Sequence, residues 1–380
     1  MNILHIIRNL EVGGMERMVL TLAAEQVRQG HAVRIFEVEP SRGDRLAVPD
    51  GLAVISRRGL WRQVLWAEVI HAHNLVALRA VWLLARLFRR RLVFTKHGMT
   101  FPSGLSRWLL ARPDAMVAVS RPVYDRYLAL LPGVKGHLRY IPNGAGGGGA
   151  SGQWTVDPPS LQLRRTQQRA QGTQRTPAQG LTSNVQRLTS PPDVLPSPVH
   201  CLRFLWVGRM VTEKGLDVLL RAWAAAKLDD ARLVLVGDGP EREALAALAE
   251  KLAIRDGVQF AGMQQALASY YAAADVFVMP SRTEGLPMAL LEAGMAGLPV
   301  VVSEVGDMAG IVQESGGGWI VSPGDIDGLK DVLEVAIRCE RESLRKKGAS
   351  LYAHVHANYS AEKMSSDYAA LYRELLGKND

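Results

Sequence analysis

Short apolar runs alternate with longer amphipathic segments over most of the 380-residue chain. In the first part, strand-like runs occupy residues 2–7, 33–38, 69–72, 92–95, 115–119 and 138–141. The segments 16–29, 75–88 and 122–131 repeat apolar positions at helical spacing, and Gly30 is well suited to end the first of them. Strands that alternate with helices predict a mainly parallel sheet covered on both faces.

The same alternation returns after the middle of the chain. Strand-like runs occupy residues 203–207, 233–236, 258–260, 276–279, 300–302 and 319–321, and helical segments at 327–339, 343–356 and 361–376 end the chain. This pattern predicts a second doubly wound α/β domain. Ligands of such folds bind beyond the carboxyl ends of the strands, so the cleft between the two domains is the predicted site.

The alternation is absent between these two parts. Residues 144–149 contain five glycines and one alanine, and the remainder of 144–200 has Gln, Thr, Arg, Pro and Ser without apolar periodicity. This composition predicts a linker or disordered insertion, because so long a structureless loop is unusual inside a domain. A stretch of non-native reading frame is the alternative origin. The predicted domains are therefore 1–143 and 201–360.

Charge is divided unevenly between the two domains. The net charge is +8, but residues 1–143 carry +11 and residues 201–380 carry −6. This split indicates that the two parts meet different partners. Two cysteines are too few for a disulfide framework, and Arg79 and Arg86 interrupt the most apolar stretch. A cytoplasmic protein without a membrane span is therefore expected.

Two histidines of the HAHN run, His71 and His73, alternate on a predicted strand and so share one face. A metal site would need a third ligand, and none lies nearby in the sequence. A role in the core or the cleft is therefore favoured over metal binding.

Glycines and cations occupy the predicted turns from strand to helix. Gly13 and Gly14 follow the first strand, where a glycine backbone can approach a phosphate or an acceptor. Arg209 and Lys214 follow the first strand of the second domain, and two fixed cations there suit a diphosphate. Gly239 belongs to a third such turn, for which a structural role is favoured and a nucleotide contact is the alternative.

Two glutamates mark the segment after the strand 276–279. Glu284 falls in the predicted loop and Glu292 eight positions later in an apolar helix, just over two turns apart, so both can face one cleft. Carboxylates accept hydrogen bonds from paired sugar hydroxyls. A carboxylate buried in an apolar helix requires a partner, which favours a functional role for Glu292.

The stretch 280–303, PSRTEGLPMALLEAGMAGLPVVVS, resembles the signature of the retaining GT-B glycosyltransferases of family four, the group 1 type. The motifs GGMER (13–17), IPNG (141–144), VGRMVTEKG (207–215) and VGDGP (236–240) fall in that family's order. The resemblance covers the chain except about 145–200. It implies two Rossmann-like doubly wound domains facing across a cleft, with a final helix in 361–380 that crosses back onto the first.

The resemblance also implies roles for residues of the second domain. Arg209 and Lys214 match the pair that neutralises the donor diphosphate as it leaves, without a metal ion. Glu292 matches the residue that holds the nucleotide ribose. Glu284 matches the one that contacts the donor sugar.

Further substrate-binding residues follow from the same motifs. The amides of Gly285 and Leu286 lie beside the donor sugar, Gly13 and Gly14 lie near the phosphate and acceptor, and His97 reaches the sugar from the first domain. Asn143 and Gly239 lie in matching motifs and are assigned to substrate binding as well.

The implied reaction moves a sugar from a nucleoside diphosphate sugar, most readily a UDP- or GDP-sugar, to an acceptor hydroxyl with retained configuration. No metal or other cofactor and no nucleic acid is implied. Attack occurs on the face from which the phosphate leaves, with that phosphate taking the acceptor proton, so no general base is assigned. A covalent nucleophile role for Glu284 is disfavoured. Bacterial cell-surface polysaccharide or lipid-linked glycan synthesis is the expected setting.

Two basic and apolar segments favour an acceptor at a membrane. Three arginines at 89–91 follow the apolar run 82–88, and residues 105–112 form a second such segment. Together they favour peripheral contact with an anionic membrane, at the inner face of the cytoplasmic membrane. A buried helix that ends in solvated charges is the alternative.

Two other functions fit the same pattern. A sugar-nucleotide epimerase on a similar fold would release no free nucleoside diphosphate. A catalytically impaired protein that binds a sugar nucleotide or a membrane would bind a nucleoside diphosphate without turnover. A dehydrogenase is the least favoured function, because the full dinucleotide glycine pattern is missing.

Overall fold

The computed structural model describes residues 1–41, 43, 45–56, 59–98, 104–146, 201–228 and 230–377. They form two parallel sheets, each covered by helices. The predicted linker, 144–200, lies outside the described residues except for 144–146.

The first sheet has seven parallel strands in the order β3-β2-β1-β4-β5-β6-β7. The strands are β1 (Asn2–Ile7), β2 (Ala32–Glu37), β3 (Ala53–Ser56), β4 (Val69–Ala72), β5 (Arg91–Lys96), β6 (Ala115–Ala118) and β7 (Leu138–Tyr140). The helices between them are α1 (Gly14–Arg28), α2 (Leu60–Trp66), α3 (Leu75–Leu87), α4 (Gly104–Leu110) and α5 (Arg121–Leu130), followed by a 3₁₀ turn at Pro132–Val134.

The second sheet has six parallel strands in the order β10-β9-β8-β11-β12-β13. The strands are β8 (Leu202–Val207), β9 (Ala231–Val236), β10 (Val258–Gly262), β11 (Val276–Met279), β12 (Val300–Ser303) and β13 (Gly318–Val321). The helices are α6 (Leu216–Ala226), α7 (Arg242–Lys251), α8 (Ala268–Ala273), α9 (Met288–Met295), α10 (Met308–Ser315), α11 (Ile326–Arg338), α12 (Arg341–Asn358) and α13 (Ala361–Leu376), with 3₁₀ turns at Thr212–Lys214 and Arg255–Gly257.

Short polar side chains set the starts of several helices. Asn74, Ser120, Asp325 and Ser360 each accept a hydrogen bond from a backbone amide in the first turn of α3, α5, α11 and α13, respectively. Gly30 follows α1 with φ of +83°, the left-handed conformation that ends a helix. Local sequence therefore sets the limits of these helices.

The prediction of two doubly wound α/β units is confirmed. The strand β3 was missed because it has only four residues, lies at the sheet edge, and lacks an apolar run long enough to stand out. A described helix long and apolar enough to span a membrane is absent.

The final helix α13 packs on the first sheet and its helix α1, although it follows the second sheet in the chain. Tyr372 of α13 is hydrogen-bonded to His71 of β4 at 2.7 Å, and Ser365 donates to Gln29 at 2.9 Å. Ala145 pairs with the start of α13, where a Cβ atom on Gly144 would lie 2.4 Å from the Ser360 carbonyl oxygen. The first two residues of the predicted linker, Gly144 and Ala145, are therefore held against α13.

Candidate active site

A cavity of about 990 Å³ lies between the two sheets. Its walls come from the loops at the carboxyl ends of strands in both sheets, and from α1 and α9. Parallel strands bring those loops to one edge of each sheet, and the two edges face each other across the cavity.

Ten of the eleven site residues expected from the sequence line this cavity; they are Gly13, Gly14, His97, Asn143, Arg209, Lys214, Gly239, Glu284, Leu286 and Glu292. Gly285 is absent from the wall. Its carbonyl oxygen instead accepts a hydrogen bond from the Asp307 amide at 3.0 Å.

The first turn of α1 contributes a carboxylate, Glu16, that was not predicted from the sequence. Gly13 is the N-cap of α1, and a Cβ atom placed on it would lie 2.3 Å from a carboxylate oxygen of Glu16. The pKa of Glu16 is raised to about 7, mainly by burial and to a smaller extent by the nearby Glu11, against the lowering effect of a backbone hydrogen bond. Gly13 therefore leaves room for a cavity carboxylate that titrates near neutrality.

The cations after β8 meet the loop formed by residues 280–287. Gly215 has φ of +65°, and a Cβ atom there would lie 2.1 Å from the Pro280 carbonyl oxygen, so a larger residue would separate the two segments. Lys214 Nζ lies 2.5 Å from Glu284 Oε1 in an ion pair that is mostly shielded from solvent. Arg209 is exposed beside this pair on the cavity wall.

The 280–287 loop is held by further polar contacts. Ser281 donates to Glu284 Oε1 at 3.0 Å. Arg282 donates to both carboxylate oxygens of Asp217 at 2.7 and 2.8 Å, and this bond lowers the pKa of Asp217. These contacts set the direction of Glu284 before any ligand arrives.

Glu292 projects from α9 into the same cavity. The Tyr271 hydroxyl donates to Glu292 Oε2 at 2.8 Å. Burial raises the pKa of Glu292, whereas Arg17 of α1 and the Tyr271 hydroxyl lower it. The partner that a half-buried carboxylate requires is therefore Tyr271, with Arg17 on the opposite wall.

The Gly239 turn is packed closely against the loop after β8. A Cβ atom on Gly239 would lie 2.4 Å from the Met210 carbonyl oxygen, and the Gly239 amide donates to Asp238 at 2.7 Å. Packing alone therefore requires glycine here, although the residue also lines the cavity.

Two front-half residues reach the cavity wall by different routes. Asn143 is buried and donates from Nδ2 to the Leu286 carbonyl oxygen at 2.9 Å, so it binds the 280–287 loop directly. Both ring nitrogens of His97 are shielded from solvent and lack a hydrogen-bond partner among the described residues. Burial, and to a smaller extent the nearby Lys96, lower the pKa of His97 to about 3. The ring is therefore neutral.

Behind His97 lies a cluster of three buried histidines, His5, His71 and His73. His5 of β1 is the third ligand that local sequence lacked, because the parallel register pairs it with His71. One nitrogen from each ring lies within 4.8 Å of the others, a spacing that could hold a metal ion. Two tyrosine hydroxyls, from α13, border the cluster.

The imidazoles of this cluster are largely engaged with one another and with hydroxyls. His5 is hydrogen-bonded to His73 at 2.8 Å and to Gln26 at 2.7 Å. His71 is hydrogen-bonded to Tyr372 and, at 2.6 Å, to Thr95. Burial lowers the pKa of His5 to about 4 and those of His71 and His73 well below the usual range.

Four further residues of the site were not predicted from the sequence: Glu16, Arg17, Tyr271 and Asp307. Glu16 and Arg17 belong to the GGMER motif and could have been found by following the glycine pair into the helix. Tyr271 and Asp307 carry no local signal, since each faces its partner only in the folded chain.

Each half of the chain matches the model of a known protein family. Residues 12–145 match the model of Glycosyltransferase Family 4, and residues 195–350 match that of Glycosyl transferases group 1. The chain is 26% identical to D-inositol 3-phosphate glycosyltransferase of Corynebacterium urealyticum over 406 aligned residues, covering 96% of this chain and 91% of that protein.

A shorter match joins the chain to a mycobacterial relative. It is 34% identical over 179 residues to the GDP-mannose-dependent alpha-(1-6)-phosphatidylinositol monomannoside mannosyltransferase of Mycobacterium tuberculosis, covering 44% of this chain and 46% of that protein. The chain spans about half the length of this and several other curated relatives.

Solved structures share the fold. HepE from Anabaena in complex with UDP and glucose has a TM-score of 0.71 and 16% identity, and the match covers 98% of this chain and 100% of that one. At that identity the likeness shows the arrangement of the chain rather than its substrates. The chain, with two matched family models and this two-sheet architecture, belongs to the GT-B glycosyltransferases of family four, the group 1 type.

Proposed function

We propose that this protein transfers a sugar from a nucleoside diphosphate sugar to an acceptor hydroxyl, with retention of configuration. The observation that carries the proposal is the Lys214–Glu284 ion pair, which lies in a cavity lined by both halves. HepE was solved with UDP and glucose, and the mycobacterial relative is named for its use of GDP-mannose. These names support a UDP- or GDP-sugar donor.

The cations and the carboxylates of the cavity have different roles in this proposal. Arg209 and Lys214 place two cations at the carboxyl end of β8, where they would neutralise the diphosphate as the bond to the sugar breaks. Glu292, held by Tyr271, would accept hydrogen bonds from the ribose hydroxyls. In this scheme the cations do the work that a metal ion does in other transferases, and no other cofactor is required.

Glu284 would change partner when the donor binds. Its carboxylate pairs with Lys214 in the free protein, and a diphosphate would compete for that lysine. The carboxylate would then accept hydrogen bonds from the sugar hydroxyls. His97 and the Gly13–Gly14 turn face this region from the other wall and would contact the sugar and the acceptor.

Replacement of either ion-pair partner tests this assignment. Glu284→Ala and Lys214→Ala should each lower kcat at least a hundredfold, because each removes a group aimed at charge that changes during the reaction. Glu213→Ala, at an exposed neighbour of Lys214, is the matched control. The assay follows nucleoside diphosphate release from UDP- and GDP-sugars, with and without EDTA, and NMR reports the anomeric configuration.

Several outcomes would contradict the proposal. Near-normal turnover by either folded variant would remove the ion pair from the site. Loss of activity in EDTA would contradict the metal-free mechanism, and an inverted product would contradict retention. Conversion of the donor sugar without nucleoside diphosphate release would indicate an epimerase.

We also propose that the acceptor is a glycan or lipid-linked glycan at an anionic membrane surface, in bacterial surface-polysaccharide or lipid-linked glycan synthesis. The helices α2, α3 and α4 contain no acidic residue. Their exposed large apolar side chains are Trp61, Leu65, Leu83, Leu87 and Trp108, which we call the apolar patch.

The helices that carry the apolar patch contact one another, and arginines lie beside its members. Trp82 of α3 packs edge-on against Trp108 of α4 at 5.6 Å between ring centroids, and Arg90 donates to the Leu65 carbonyl oxygen at 2.6 Å. The Arg112 guanidinium lies 4.1 Å from the Trp108 ring centroid. Exposed apolar and indole side chains among cations suit the interface of an anionic bilayer.

Liposome co-sedimentation tests this contact. The wild-type protein should bind vesicles containing anionic lipid more strongly than neutral vesicles, and Leu83→Gln with Leu87→Gln should weaken binding about tenfold or more because both side chains would leave the apolar phase. Val335→Gln, an exposed valine of α11, is the matched control. Equal binding to both kinds of vesicle would contradict the proposal.

A further inference from the structure

Asp307 joins the two halves of the molecule beside the cavity. It immediately precedes α10 in the second half, and both of its carboxylate oxygens accept from the Arg121 amide at 3.1 Å. The Tyr140 hydroxyl donates to Asp307 Oδ2 at 3.3 Å. Arg121 begins α5 of the first half, so the carboxylate lies where a helix offers free amides and the positive end of its dipole.

The backbone of the same residue supports the 280–287 loop. The Asp307 amide donates to the Gly285 carbonyl oxygen at 3.0 Å. Gly306 has φ of +60°, and a Cβ atom there would lie 2.2 Å from that oxygen. The positions of Asp307 and of the residue after Glu284 are therefore set together.

The first half contacts the loop from the other side. A Cβ atom on Gly285 would lie 3.0 Å from Ser120 Oγ, and Asn143 donates to the Leu286 carbonyl oxygen. Ser120 is the N-cap of the helix that Asp307 binds. Residues 285 and 286 are thus held between Asp307 of their own half and α5 of the opposite half.

We infer that Asp307 is a positioning residue that couples contact between the two halves to the arrangement of the 280–287 loop. The carboxylate holds α5 and Tyr140, its backbone holds Gly285, and Glu284 precedes that glycine. Separation of the halves would release one side of the loop and loosen the Glu284 carboxylate. The inference rests on the proposed transferase function for its kinetic readout but not for its structural one.

The charge on Asp307 matters because its surroundings are mixed. Burial raises the pKa of Asp307, and Asp125 of α5 raises it further; the Arg121 amide, the Tyr140 hydroxyl and the Arg121 guanidinium lower it. The Arg121 guanidinium also stacks 4.2 Å from the Tyr140 ring centroid. Tyr359 of the segment before α13 faces the same carboxylate. Loss of the charge would therefore weaken both hydrogen bonds from the first half.

Asp307→Asn tests the inference with little change in shape. We expect kcat for sugar transfer to fall about tenfold or more, because a charge-assisted bond is lost, while the KM for the donor changes less. Hydrogen exchange of the residue-307 amide, which donates to the Gly285 carbonyl oxygen, should accelerate. Glu304→Gln removes the same charge at an exposed position three residues earlier and should change neither readout.

Tyr140→Phe is the second variant, since it removes one bond and leaves the carboxylate intact. It should give a smaller effect of the same kind in both measurements. Wild-type kcat and exchange in a folded Asp307→Asn protein would overturn the inference, as would a lower Tm without either change. If the wild-type protein transfers no sugar, the proposed function fails, and exchange at the residue-307 amide alone decides the role of Asp307.

Discussion

Within the described part of the chain, Glu16 lacks the side-chain hydrogen bond or ion pair that Glu284 and Glu292 each have. Its carboxylate lies against Gly13, on the wall assigned to the acceptor, and burial raises its pKa to about 7. Glu284 has Lys214, and Glu292 has Tyr271 and Arg17. Of these three carboxylates, Glu16 is therefore the one whose ionisation destabilises the folded state most.

Glu16→Gln should stabilise the protein by an amount that depends on pH. The folded pKa of Glu16 lies above that of the unfolded chain, so the folded state binds the extra proton between about pH 4.5 and 7. The variant's advantage should therefore be small at pH 4.5, grow as the pH rises to 7, and stay constant above it. Thermal unfolding at pH 5 and 8 measures this, with a gain on the order of 2–4 °C at pH 8.

Glu304→Gln, which removes the same charge at an exposed position of the second half, is the control. A Glu16→Gln gain that is equal at both pH values would show that the side chain is not held in its protonated form by burial. A larger gain at pH 5 would reverse the sign and contradict the assignment.

Single residues also show where sequence reasoning stops. The HAHN run indicated two histidines on one face of a strand; His71 lies in β4 and His73 directly follows its last residue, with 4.0 Å between the two ring centroids. The third, His5, lies 66 positions before His71 and joins the cluster through the register of β1 against β4. Strand register is a property of the folded sheet, so spacing along the chain could not reveal it.

At the scale of elements, periodicity predicted most helices and strands. The last helix was predicted as 361–376 and runs Ala361–Leu376, because Ser360 caps its start and its apolar positions repeat cleanly. The strand β3 was not predicted because a four-residue edge strand lacks a long apolar run. The family resemblance implied that the final helix packs on the first domain. Buried hydroxyl groups of α13 stabilise this packing.

The hydroxyl groups of α13 tie that helix to the histidine cluster. Tyr372 is bonded to His71, and Tyr368 lies 3.0 Å from Thr95 Oγ1. The bonds are buried, so each broken one would leave an unpaired polar group in the core. A change in the charge of the histidine cluster should therefore alter the packing of α13.

At the scale of the whole molecule, the buried imidazoles make the fold sensitive to acid. Burial lowers the pKa values of His5, His71, His73 and His97, the first to about 4 and the last to about 3. Below pH 6.5 the unfolded chain binds protons that these folded imidazoles do not. Glu16, Glu292 and Asp307, whose pKa values are raised, act in the opposite direction.

The free energy of unfolding should therefore fall as the pH drops from 6.5 towards 4. A net difference of one proton corresponds to about 1.4 kcal/mol per pH unit. Urea unfolding at pH 7, 6, 5 and 4.5 measures the slope. His5→Gln should flatten it, while His356→Gln, at an exposed position, should not. A slope that His5→Gln leaves unchanged would contradict a neutral buried cluster.

The uneven charge follows the division of the fold. The half that carries +11 contains the apolar patch and its arginines, and the half that carries −6 contains Arg209 and Lys214. Net charge thus describes each surface but not the local charge of the cavity, where a basic pair lies within an acidic half.

Spacing along the chain was enough for the two α/β units, because periodicity and strand-to-helix turns are local features. The ten predicted residues of the cavity wall came from those turns and, for His97 and Asn143, from the family resemblance alone. The partners of those residues depended on the fold. Lys214 meets Glu284 because β8 and β11 are neighbours in one sheet. Asn143 meets Leu286 and Arg121 meets Asp307 because the two sheets end at facing edges. Each pair is separated by 70 or more positions, and contacts over such distances are made by sheet order and helix docking rather than by local sequence.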